Sequence, residues 1–203
     1  YFGREIIADL EARCQQIYVD NLKTPIRDSF GSRDAPVVVV RGNHDFIDLA
    51  GWIGGDVWEV NNNPGRVFEL GGWKFGGFRG IKYIAGEWSD EFRSDKMCDI
   101  MEDLPTDIDV LVSHSPGTTF DTFHNGIGVE KAGGIPELTD WLRMKTSVGG
   151  ALEAHMFGHV HESRNVGCIG RTTFSNAATT ANMIKLFPDK ESEYGRLDVD
   201  MER

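Results

Sequence analysis

Cysteine is scarce in this chain. Three occur in 203 residues, Cys14, Cys98 and Cys168, far apart and with no CxxC pair. That excludes a disulfide scaffold and a thiolate metal knuckle, and it predicts reduced, mostly buried thiols in a cytoplasmic protein. A cationic surplus is also lacking: 21 Lys and Arg face 32 Asp and Glu, for a formal net charge of −11. Electrostatic binding to nucleic acid or to an anionic membrane needs the opposite balance, so neither partner is favoured. A phosphate-bearing small molecule stays open, because bound cations can supply positive charge locally. No apolar run approaches the ~20 residues of a membrane span, and no signal peptide is visible. Internal repeats and low-complexity tracts are absent. What remains, 40% hydrophobic and 26% charged residues, suits one globular domain with its own core. We place that domain over 1–187 and an acidic tail over 188–203.

Periodicity gives the elements. Ile6, Ile7, Leu10, Cys14 and Ile17 recur at helical spacing and predict a helix over 3–18. The pattern starts in the first turn and the chain starts at Tyr1, so upstream sequence is expected to be missing. Residues 21–36 form a polar connection. The β-branched run "VVVV" (37–40) predicts a buried strand, followed by strands at 57–60, 66–70 and 73–78 with "NNNPG" and "GG" as turns between them. Met97, Ile100, Met101 and Leu104 mark a second helix, stopped before Pro105. "IDVLVSH" (108–114) and "AHMF" (154–157) predict strands, Pro136 opens a third helix, and 168–176 and 183–187 predict late strands. Alternating strands and helices predict an α/β layered fold.

Three buried strands run into the same chemistry. "VVVV" leads to Arg41-Gly42-Asn43-His44-Asp45, "DVLVS" to His114, and "AHMF" to Gly158-His159-Val160-His161. In open α/β sheets the loops at the carboxyl ends of strands form the ligand crevice. Four of the six histidines lie at these three points. Neutral imidazoles ligate divalent transition metals, and an Asn carbonyl oxygen can join them. On an extended backbone His159 and His161 point opposite ways. If the chain turns, as Gly158 permits, they can reach two neighbouring metals, a pair of which clamps a phosphate and activates a hydroxide.

The segments "GNHD" (42–45), "SHSPG" (113–117) and "GHVH" (158–161), in that order, resemble the calcineurin-like metallophosphoesterases. The resemblance covers about residues 36–180, with "FSNAATT" (174–180) similar to the family's last strand and loop. It implies a β-sandwich of two sheets flanked by helices, with a dinuclear site at one edge. It further implies hydrolysis of a phosphodiester or phosphomonoester, with two divalent ions (manganese, iron, zinc or nickel) as cofactors. Carried over by position, Asn43, His114 and His159 resemble ligands of one metal and His161 a ligand of the other. His44 resembles the residue that contacts the scissile phosphate and protonates the leaving group, with Asp45 orienting it. "SHSPGTTFD" and "NAAT" resemble the small cyclic-nucleotide phosphodiesterase-like branch, which implies diesters. The family's first two motifs, an Asp-x-His and a Gly-Asp, have no match before residue 42, and "FGREIIADLEARC" resembles the helix that follows the Gly-Asp. The expectation is an N-terminally truncated domain; its counterpart is a binding module that kept the fold and lost catalysis.

Other polar residues divide between site and surface. His124, in "DTFHNG", either lines the substrate pocket or is solvated. Arg79 and Lys82, in "GFRGIKY", either meet phosphate oxygens or face water. His155, inside an apolar run, is expected to be structural, and the five tryptophans to be core.

Overall fold

The computed structural model describes residues 4–29, 36–46, 50, 57–60, 63–118, 133–146, 152–161, 165–179, 182 and 184–186. The expectations for His124, Trp52 and the acidic tail lie outside the described residues. Among the described residues, ten strands and three helices follow in chain order: α1 (Arg4–Ser29), β1 (Val37–Val40), β2 (Val57–Val60), β3 (Phe68–Leu70), β4 (Trp73–Phe78), β5 (Ile81–Lys82), β6 (Glu91–Phe92), α2 (Ser94–Asp103), β7 (Val110–Ser113), α3 (Pro136–Thr146), β8 (Ala154–Phe157), β9 (Asn165–Ile169) and β10 (Thr172–Asn176).

Six strands form one mixed sheet in the order β3-β4-β7-β8-β10-β9. β4, β7, β8 and β10 run parallel, and β3 and β9 close the edges antiparallel. β1 and β2 form a separate parallel pair. The two faces of the central sheet are covered differently, and the alternation of β7 shows how. Val110 and Val112 point to one side, where Trp73, Phe75 and Ala154 meet Val38, Val40 and Trp58 of the two-stranded sheet. Leu111 points to the other, where Met97 and Ile100 of α2 and Leu138, Trp141 and Leu142 of α3 pack on Phe157 and Phe174. The period of two thus places a sheet on one face and helices on the other, as the α/β sandwich reading anticipates.

Local sequence explains the ends. α2 stops at Leu104, which is extended (φ −69°, ψ 120°), the conformation favoured for a residue before a proline. α3 opens on Pro136, whose missing N–H is no loss in a first turn.

Several expectations are corrected. α1 continues through the 21–29 stretch taken as a connection, past Pro25. A proline removes one helical hydrogen bond without dictating the dihedrals that follow, and Lys23 and Arg27 favour helix. The apolar stripe of α1 is not buried: Ile6, Leu10 and Ile17 are 50%, 56% and 66% exposed. The 168–176 run is a hairpin, because Gly170 takes a left-handed φ of 60° and reverses the chain. Residues 184–186 form no strand. All three cysteines are free, but exposed rather than buried. No helix among the described residues is long and apolar enough to cross a membrane.

His155 is fully buried beside Phe157 and Phe174. Ser113 Oγ donates to Ser115 O at 2.8 Å, so it accepts from His155 Nε2, also at 2.8 Å. The ring is therefore the Nε2–H tautomer, and its buried Nδ1 has no partner among the described residues. Burial lowers its pKa from 6.5 to about 3. Between those values the unfolded chain binds a proton that the folded chain refuses, so stability present above pH 6.5 is lost as pH falls. The expected loss from this residue is about 2 kcal/mol by pH 5. Urea unfolding at pH 7.5 and pH 5 should show a smaller drop for His155→Leu than for the parent; equal drops would contradict the assignment.

Candidate metal centre

Parallel strands put their carboxyl ends on one edge, and the chemistry sits there. His114 follows β7, Gly158 and His159 follow β8, and Asn176 ends β10. Gly42 and Asn43 leave β1 in the neighbouring layer and reach the same point. His114 Nε2 lies 3.0 Å from Asn43 Oδ1 and 3.2 Å from His159 Nδ1. The close approach depends on Gly42: a Cβ there would lie 2.4 Å from the His114 ring. Gly158 N donates to His114 O at 2.9 Å, tying the β7 and β8 loops together.

The turn that aims His159 differs from expectation. Gly158 keeps an ordinary φ, and His159 itself is left-handed at φ 67°. Val160 N donates to Gly158 O at 2.8 Å, closing a γ-turn centred on His159. A side chain in this region costs about 1–2 kcal/mol, and such strain collects at functional sites. Asn176 supports the turn from beneath. Its Nδ2 donates to Val160 O at 2.8 Å, and its Oδ1 accepts from Ala178 N at 3.0 Å.

Burial, then the neighbouring His159, His44 and His161 in that order, lower the His114 pKa to about 3. The imidazole is therefore neutral at physiological pH, the ligating form. The other three strand-end histidines thus lie within electrostatic reach of His114. The ring of His161 is exposed.

The donor set fits a transition metal. Nitrogen and oxygen ligands about 2.0–2.2 Å from a common ion and cis to one another stand about 3.0–3.4 Å apart, and the two separations above lie in that range. A His114 Nε2 bearing at most one proton cannot fully satisfy both neighbours. Among the described residues no three His, Cys, Asp or Glu side chains close on one point; the third donor here is the amide of Asn43, buried to 6% exposure.

His44 and Asp45 are arranged otherwise than expected. His44 Nδ1 contacts Glu11 Oε1 of α1 at 3.2 Å, and its ring packs against Trp88 with centroids 4.7 Å apart. Asp45 turns away: its carboxylate accepts from Gly42 N at 2.6 Å and from the Gln15 amide. Gln15 Oε1 in turn accepts from Phe46 N at 3.1 Å. Burial raises the Asp45 carboxyl above its ordinary value, against the lowering effect of Gly42 N–H, Gln15, Arg41 and His44. Glu11, Gln15, Trp88 and Asn176 escape sequence reasoning; only "FSNAATT" hinted at the last. Arg79 is engaged in a partly buried quartet, 3.3 Å from Asp90 and 3.8 Å from Glu59. Arg41 completes it, 2.8 Å from Glu59 and 3.9 Å from Asp90.

The family model described as calcineurin-like phosphoesterase matches residues 2–163. A solved crystal structure shares the fold at a TM-score of 0.55 and 15% identity, over 87% of this chain and 68% of that one. No curated protein matches the chain.

The left-handed turn gives a test that needs no activity. In metal-free protein, His159→Gly should be more stable than His159→Ala by roughly 0.5–1 kcal/mol, the left-handed penalty less glycine's extra chain entropy. Both should lose metal affinity in calorimetric titration. An alanine variant as stable as the glycine one would show that the turn is unstrained.

Proposed function

The chain belongs to the calcineurin-like phosphoesterase family, and on that premise we propose that it hydrolyses a small phosphoester, with diesters preferred, at the strand-end site. The observation that carries the reading is the convergence of Asn43 Oδ1, His114 Nε2 and His159 Nδ1 on one point. Two imidazoles and an amide oxygen without thiolate suit manganese, iron, zinc or nickel. His161 stands one residue beyond the turn and is assigned to a second ion. Divalent ions in such a pair supply Lewis acidity toward phosphoryl oxygens and a nucleophilic water at neutral pH.

The chain's own residues do the rest. Neutral His114 offers a lone pair without adding positive charge, and His159 turns Nδ1 toward the same point. Asn43 offers an oxygen whose backbone is fixed by Ser89 N, 3.0 Å from Asn43 O. Glu11 occupies Nδ1 of His44, which leaves Nε2 to deliver a proton to the departing oxygen. Asp45 holds the "GNHD" turn closed through Gly42 N. The acidic balance of the chain favours a small substrate over a nucleic acid. We read residues 1–187 as one catalytic domain in a cytoplasmic setting.

The test is hydrolysis of bis(4-nitrophenyl) phosphate by the native protein with manganese. Chelation should abolish turnover and added manganese restore it. Asn43→Ala and His114→Ala should each lower kcat/KM at least about 100-fold. His44→Ala should lower kcat about 10²- to 10⁴-fold with metal content unchanged. A protein that binds no metal and hydrolyses neither mono- nor diesters would instead be a binding module.

A further inference from the structure

The loop between β5 and β6 is built around one carboxylate. Glu91 Oε2 accepts from the backbone N–H of Ile84, Ala85 and Gly86 at 2.7, 2.9 and 2.8 Å. Glu91 Oε1 accepts from Glu87 and Trp88 at 3.0 and 2.8 Å. Five consecutive amides thus wrap a single side chain, an anion-binding concavity filled from within. Tyr83 and Ile84 are 41% and 54% exposed, and the loop borders an open cleft of about 370 Å³ that Arg93 and Lys96 also line. Burial would raise the Glu91 pKa, but the N–H groups of Gly86, Trp88, Ile84 and Ala85 outweigh it and hold the carboxyl below its ordinary range. Glu91 is therefore ionised at neutral pH, and the staple is fully formed there.

The two residues at the end of the wrapped stretch face the strand-end site. Trp88 packs on His44, and Ser89 N donates to Asn43 O. Asp90 follows in a left-handed conformation at φ 53° and is fixed by Arg79 and Arg41, the residue before Gly42. Pinned at both ends, the loop has one adjustable part, the 84–88 turn, and Glu91 sets it.

We propose that Glu91 is a positioning residue: it fixes the 84–88 turn so that Trp88 packs, tilted, against the ring of His44. His44 is then held at Nδ1 by Glu11 and against its ring by Trp88, which limits where Nε2 can point. The catalytic consequence rests on the phosphoesterase reading above; the placement of His44 does not. Glutamine at position 91 would not replace the carboxylate. It offers one acceptor oxygen to five donors and turns an NH₂ toward the rest.

The experiment uses Glu91→Gln, Trp88→Ala and the double variant in the native protein, with two readouts. The first is the NMR signals of the His44 ring protons, which the Trp88 ring current displaces. They should shift the same way in both single variants, while the indole signals of Trp73 and Trp141 stay in place and report an intact fold. The second is manganese-dependent diester hydrolysis. Each single variant should lose about tenfold in kcat, as misplacement of a catalytic group does, with KM within about threefold. The double variant should be no worse than Trp88→Ala, because both changes act on the same contact. Should Glu91→Gln misfold, Trp88→Ala still measures the clamp, since the staple is intact in it; unchanged His44 signals and unchanged kcat there overturn the proposal. Unmoved His44 signals in a folded Glu91→Gln protein overturn it too, as does a multiplicative loss of about 100-fold in the double variant. If the parent hydrolyses no phosphoester but its His44 signals move in Glu91→Gln, the hydrolase reading fails and the placement of His44 stands.

Discussion

The imidazole of His114 is the point on which the strand-end edge depends. Three pieces of chain far apart in sequence meet at it: the exit of β1 through Gly42 and Asn43, its own strand β7, and the exit of β8 through Gly158 and His159. The meeting is possible because Gly42 has no Cβ to collide with the ring, and because the β8 backbone bonds directly to His114 O. Burial then fixes the ring's charge state: at a pKa near 3 it is neutral wherever the protein is folded at ordinary pH. A neutral, largely desolvated ring that brings a nitrogen against two other donor atoms is unusual as a packing element, since neither apolar contact nor complete hydrogen bonding accounts for it.

Around that ring stands a shell of polar residues whose partners are matched. Glu59 and Asp90 face Arg41 and Arg79, Glu91 gathers five amides, Asn176 holds the His159 turn, and Glu11 and Gln15 reach across from α1. Arg41 Nε shows the character of this shell. It lies 2.8 Å from Glu59 yet makes no aligned hydrogen bond. Partly buried ion pairs of this kind add little net stability, because desolvation offsets the attraction. What they fix is direction: the loop after β5 and the exit of β1 cannot move independently.

The sheet was largely legible in the sequence, and the reason is physical. Val37–Val40 is wholly β-branched, though half-buried where a buried strand is expected, and Val110–Ser113 is buried along its length; both are bounded by turn residues, so local pattern and tertiary context agree. The donors Asn43, His114 and His159 were legible for the same reason, because each follows such a run. What failed to show was whatever the chain brings together from a distance or bends against local preference. Glu11 and Gln15 precede the residues they hold by about 30 positions, and nothing near them announces a partner. Asp45 sits next to His44, which suggested a contact, yet its carboxylate closes its own turn on Gly42. Gly158 looked like the pivot because glycine tolerates a left-handed φ, but the strained residue is His159. The 168–176 run hid a hairpin because Gly170 alone interrupts it, and α1 ran through Pro25 because one missing N–H does not end a helix.

These exceptions share a direction. Selection for stability alone would place glycine at 159, an apolar side chain at 43, and a residue other than histidine at 114, since each change removes strain, an uncovered polar atom or a lone pair turned on another. The chain instead keeps a left-handed histidine, a buried amide and a desolvated imidazole together, and does so in a protein of net charge −11. Such a field would favour a positive ion at this point, where lone pairs converge. The same ion would relieve the crowding of His114 against Asn43 and His159, which no proton arrangement fully relieves. The local cost and the overall charge therefore point the same way: lone pairs converge without enough protons between them, in a protein whose net charge would favour a cation there.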